Sequence, residues 1–152
     1  MVQTTEEARQ QLLDSLGDAI REIGSAIASL SAAYEQLDVA RADELEEKLF
    51  RPLQLAYGRA KRTHTAFAAR HGLTSRSVEP RSAGLPSTGV RGFMDNAVVA
   101  IERADHDLAE LQDSLLPVEV GDPELRASLA DLRELIGNLP DRARDLVRVI
   151  GR

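Results

Sequence analysis

The sequence predicts an all-α protein, an antiparallel four-helix bundle with kinked second and fourth helices. Three observations carry that expectation. Apolar residues recur every three or four positions over four long stretches, which is the period of a helix with one buried stripe. Only 3% of residues are aromatic while 43% are apolar, so the core consists chiefly of Leu, Ile, Val and Ala, the side chains that suit helix-on-helix packing. Turn and cap signals separate the stretches. The 152 residues fit one domain, 1–152, with helices at about 4–37, 39–71, 89–116 and 123–150 and a loop at 73–88.

Each element has its own reason. Thr4 and Thr5 precede Glu6 and Glu7, a hydroxyl cap with acids over the first turn. Leu13, Leu16, Ile20, Ile23, Ile27, Leu30, Tyr34 and Leu37 then form a heptad seam. Gly17, Gly24 and Ser31 flank it, and each interior glycine costs about 1 kcal/mol relative to alanine. That cost implies a compensating contact: a neighbouring helix at close range, a second copy of the protein, or a ligand. The seam lapses near Asp38, which places a helical hairpin there; one unbroken helix to Phe50, turning at Pro52, is the alternative.

Leu45, Leu49, Leu53, Ala56, Ala60, His64, Phe67 and His71 draw the stripe of the second helix. Pro52 inside it removes the bond to the Lys48 carbonyl and predicts a kink, and Gly72 is a C-terminal stop. Leu73–Thr88, sixteen residues rich in Ser, Gly and Pro, reads as a loop, longer than compact domains normally use and hence functional or mobile. Ser87 and Thr88 can cap the third helix, whose seam runs from Met94 through Ile101 to Leu115. Asp122-Pro123-Glu124 is a compact helix start. Because the apolar spacing survives Pro140, one kinked fourth helix is expected in preference to two.

Charge and chemistry bound the function. The net charge of −6 argues against general nucleic-acid binding, yet Arg59 to Arg91 holds seven cations and one acid. If the first hairpin and the link between helices three and four share one end, that end is acidic. The other end then collects Arg70, His71, Arg76, Arg81 and Arg91 as a docking surface for a partner. Absence of cysteine removes thiolate chemistry and Cys-ligated zinc. His64 and His71 lie about 10 Å apart along the axis, too far to share an ion, so no metal site and no cofactor is expected. No nucleophile elbow, Gly-rich phosphate loop or other catalytic set is assembled, so no enzyme is expected.

Neither a secretory signal nor a membrane span is visible, and a cytoplasmic location follows as the default expectation. The leading expectation is a non-catalytic interaction or scaffold protein that binds a protein partner, with self-association as a homodimer through Gly17, Gly24 and Ser31. The alternative is a carrier of a small apolar ligand or heme, in a cavity near Gly24, Pro52, His64, Ile101 and Pro140.

Overall fold

The three- and four-residue spacing does produce helices, and an all-helical chain results. A computed structural model describes residues 5–75 and 78–150. Helix α1 (Thr5–Glu35) buries Leu13, Leu16, Ile20, Ile23 and Leu30 along its seam. The chain turns at 36–38, where the Asp38 carboxylate accepts the Arg41 N–H at 2.9 Å and starts α2 (Val39–Leu45). Five residues, Glu46–Phe50, then wind as a π-helix into α3 (Arg51–His71). Backbone dihedrals stay right-handed helical at both junctions, so Val39 to His71 is one continuous rod.

The π-turn is the local answer to Pro52. Proline has no N–H for the carbonyl four residues back, and a register change just ahead of it takes up the defect: the Arg51 N–H bonds to Glu46, five residues back. The Lys48 carbonyl, which Pro52 cannot serve, accepts the Arg142 guanidinium at 3.0 Å. A proline thus opens an attachment point for the last helix.

Gly72 adopts φ 63° and closes α3, with the Leu73 N–H returning to the Ala68 carbonyl at 2.9 Å. The described residues of the sixteen-residue link that follows do not turn back at that end. They climb along α1: Val78 lies beside Gly17, Pro80 beside Gly24, and the Pro86 carbonyl accepts from the Gln36 side chain at 3.2 Å. Extended chain of that length reaches about 50 Å and α1 rises about 46 Å, so the path is feasible. Helix α4 (Gly89–Asp113) therefore starts beside the end of α1 and runs antiparallel to it, in the same direction as α3.

Gly89 starts α4 at φ 74°, and Thr88 stands at its cap without a side-chain bond, so the expected Ser/Thr cap is replaced by a short 3-10 turn, Pro86–Thr88. α4 stops at Asp113, earlier than the expected 116, and Leu115 is left 72% exposed ahead of α5 (Leu116–Val120). Asp122 then caps α6 (Pro123–Ile136), its Oδ1 accepting the Leu125 N–H at 3.0 Å with Pro123 in the first position. The expected single fourth helix is divided: α6 ends at Ile136, and α7 (Leu139–Ile150) starts afresh with the Arg142 N–H on the Asn138 carbonyl. Pro140 is the second residue of α7, where its missing N–H has no intrahelical partner to lose. The apolar phase carries across because the interruption is short.

Among the described residues one apolar core joins α1 to α7, with Leu16 and Ile23 of α1, Leu53 and Phe67 of α3, Phe93 and Ile101 of α4, and Leu129, Ile136 and Ala143 of the last pair. α1 packs chiefly on α4 and α3, α3 also on α6, and α4 on α6 and α7.

Candidate protein-interaction face

The crossover dissolves the expected charged poles. With α4 starting at the hairpin end, its acidic C-terminal part and the link to α6 lie at the opposite end, beside Arg70 and His71. The basic candidates do not meet. The Asp122 Oδ2 accepts from Arg70 Nε at 3.0 Å, Arg70 Nη2 at 2.9 Å and His71 Nε2 at 2.8 Å, while Arg70 also bridges to Glu124 at 2.9 Å. Burial works against ionisation of Asp122, yet the Leu125 amide, His71 and Arg70 outweigh it and hold the carboxyl at about 2. This cluster ties the foot of α3 to the cap of α6. Arg81, halfway up the molecule, pairs with the buried Glu22, and Arg91, at the far end, approaches Asp95 at 3.7 Å. Arg76 lies outside the described residues.

The small residues of α1 are explained within the chain. A Cβ on Gly24 would stand 3.0 Å from Pro80 Cβ and 3.1 Å from the Tyr57 hydroxyl; one on Gly17 would stand 3.4 Å from Val78 and 3.5 Å from His64 Nε2. Both glycines are buried under the crossover and α3, which occupy the surface a second copy would need there; Ser31 is half-buried. The close neighbour that the two glycines imply is an extended segment as well as a helix. His64 is buried with its ring bonded to the Leu13 backbone, and burial is the main cause of a pKa below the usual 6.5.

None of the five expected cavity residues lines the clefts described below. Gly24 abuts Pro80, Pro52 sits in the first turn of α3, Ile101 is fully buried in the core, and Pro140 begins α7. Larger clefts lie elsewhere. One of about 340 Å³ runs between α1, the crossover and α4, lined by Ser25, Ser29, Asn96 and Arg103 around the Glu22–Arg81 pair. Another of about 250 Å³ is acidic, with Asp18, Asp107 and Glu110. Burial, with Glu22 nearby, pushes the Asp107 carboxyl above its usual range. Among the described residues no group of three or more His, Asp or Glu side chains is placed to hold a metal ion.

What stands out is the outer face of the α2–α3 rod. Its inner stripe, Leu45, Leu49, Leu53, Ala56, Ala60, His64 and Phe67, is buried in the core. On the outside the charge changes sign halfway along. α2 and the π-turn carry Asp43, Glu44, Glu46 and Glu47 with two cations, Arg41 and Lys48, that Asp38 and Glu44 take up, whereas α3 has five Lys or Arg and no acid in 21 residues. Among the described residues Asp43, Glu47, Lys61 and Arg62 form no ion pair; Lys61 instead lies 4.5 Å above the Tyr57 ring. Beside the charges lies exposed Leu55, and half-buried Gly58 with exposed Thr65, Ala66 and Ala69 lines a groove of about 570 Å³ that Lys61 and Arg62 flank.

Gly58 is the anomaly of this face. It sits in the middle of α3, and a Cβ there would meet only the far end of Arg62 at 3.4 Å, an ordinary contact. The fold does not require it, although glycine costs a helix interior about 1 kcal/mol relative to alanine. The sequence carried the signal for this face, since the sign change between Glu47 and Arg51 is visible in it.

No family model, curated protein or solved structure matches this chain. Among the described residues no helix is long and apolar enough to cross a membrane.

Proposed function

We propose that the protein is a non-catalytic helical interaction module that binds a macromolecular partner through the outer face of the α2–α3 rod. α1, the rod, α4 and the α6–α7 pair serve in this reading as a four-helix bundle with one long crossover, a scaffold that holds the rod rigid. The observation that carries the reading is the charge-split face itself. Elsewhere on the rod, cations are matched to carboxylates: Arg59 to Asp131 at 2.7 Å, Arg70 to Asp122, Lys48 to Glu44 at 2.6 Å. On the outer face Asp43, Glu47 and Arg62 are left unmatched beside small side chains that allow another backbone to come near.

Charges of this kind steer association and select partners more than they stabilise the monomer, because exposed ion pairs contribute about 0–1 kcal/mol. The partner-binding surface thus moves from the loop cations to Lys61, Arg62 and their acidic counterparts. The reading is tested by capture from cell extract with wild-type protein and Lys61→Glu/Arg62→Glu as bait. A partner retained by the first and lost from the second supports it; identical captures by both baits contradict it.

A further inference from the structure

The occupant of the rod's outer face can be named from the pattern of its charges, an inference that rests on the reading of that face as the interaction surface. We propose that a second copy of this chain lies antiparallel along it, with a two-fold axis passing between Gln54 and Leu55. The outermost positions repeat along the rod as Ala40, Asp43, Glu47, Arg51, Leu55, Gly58, Arg62, Ala66 and Ala69, all exposed except the half-buried Gly58. Reversing this series about that axis sets Glu47 opposite Arg62, Asp43 opposite Ala66, Arg51 opposite Gly58 and Ala40 opposite Ala69.

Three features of the face are met by that one arrangement. The unpaired Glu47 of each copy falls on the unpaired Arg62 of the other, twice over by symmetry, whereas a parallel pair would set Arg62 against Arg62 and Glu47 against Glu47. Gly58, which the fold leaves without a purpose, makes room for the long Arg51 side chain from across the axis. Ala40 and Ala69 face each other at the two ends of the contact, and Leu55, 46% exposed, lies at the axis beside its own mate. Contact of this kind is self-complementary and closed, so it ends at two copies and does not propagate into a fibre. The apolar area it offers is small, which makes the dimer weak and sensitive to salt.

Sedimentation velocity at high micromolar concentration and low salt tests the proposal through a charge swap. Wild-type protein should sediment above its 16.6 kDa monomer mass, towards twice that value. Arg62→Glu and, separately, Glu47→Lys should each weaken association by roughly tenfold or more, with unchanged helical circular dichroism. Mixing the two variants should restore a dimer, because each reversed charge then meets its complement. A wild-type chain that remains monomeric, or variants that fail to reassociate on mixing, would overturn the second copy as occupant. The capture experiment still decides independently whether the face binds a different partner.

Discussion

The backbone N–H of Arg81 donates to the Ser25 hydroxyl at 2.9 Å, fastening the crossover to the middle of α1. The Arg81 guanidinium reaches Glu22 on the same helix, and the Ser25 hydroxyl in turn donates to the Arg21 carbonyl at 2.9 Å. Through this strap the chain returns along α1 before α4 begins, so α3 and α4, consecutive long helices, run in the same direction. That path brings Asp122 and Glu124 beside Arg70 rather than to the hairpin end.

Replacing Ser25 with alanine leaves the Arg81 N–H without its acceptor. The expected cost is about 1 kcal/mol in urea unfolding, with faster hydrogen exchange at the Arg81 amide. Unchanged stability and unchanged exchange would show that the strap is not held there.

The two mid-helix glycines should respond in opposite directions. Gly24→Leu drives a side chain into Pro80 and Tyr57, which stand 3.0 and 3.1 Å from the Cβ position, and should destabilise by about 1–3 kcal/mol. Gly58→Ala meets only the Arg62 guanidinium and should stabilise the monomer by up to about 1 kcal/mol while weakening association. Thermal melts at low concentration read the first effect of each; a Gly58→Ala that melts lower would mean that the monomer itself needs this glycine.

Asp122 should confer an acid limit on stability. Its carboxyl is held at about 2 against an ordinary 3.8, so the unfolded chain takes up the proton first as pH falls. The contribution is complete above about 3.8 and is lost as pH falls through about 2; the shift corresponds to roughly 2–3 kcal/mol. Asp122→Asn should therefore differ from wild type by about that amount at neutral pH, and the difference should narrow on acidification. A difference independent of pH would contradict the ionised bridge to His71 and Arg70.

His64 should act in the same direction nearer neutrality. Burial lowers its pKa from 6.5, with the bond to Leu13 and the nearby Asp14 opposing only in part. Unfolded chain then binds the proton before folded chain does, so stability is complete above 6.5 and declines as pH falls through the lower folded value. Proton titration of the His64 ring by NMR checks this. A midpoint at or above 6.5 would show that the imidazole is not shielded as the structure has it.

Local chemistry was legible in the sequence and long-range path was not. Asp122-Pro123-Glu124 and Gly72 announce a helix start and stop because capping is decided within one turn of chain. Gly17 and Gly24 correctly signalled a close neighbour, since a missing Cβ has no other benefit in a helix. What approached them was beyond reach, because Val78 and Pro80 lie in a segment without periodicity whose contacts depend on the assembled core. The undivided apolar phase across Gly137 and Asn138 concealed the break before Pro140: hydrophobic spacing records which residues face inward, and a two-residue interruption leaves that unchanged. The interaction face lay in the sequence as a reversal of charge along the second helix, readable only once the crossover had removed the assumed poles.

A photoreactive residue in place of Ala66 tests the central claim most directly, since it sits on the outer face of the rod and, in the antiparallel pairing, opposite Asp43. Irradiation should yield a product of twice the 16.6 kDa chain mass, with the attachment mapped by mass spectrometry to residues around Asp43 and Glu47 of the second copy. Irradiated protein that stays at the mass of one chain, or attachment anywhere other than that acidic half, would contradict the account.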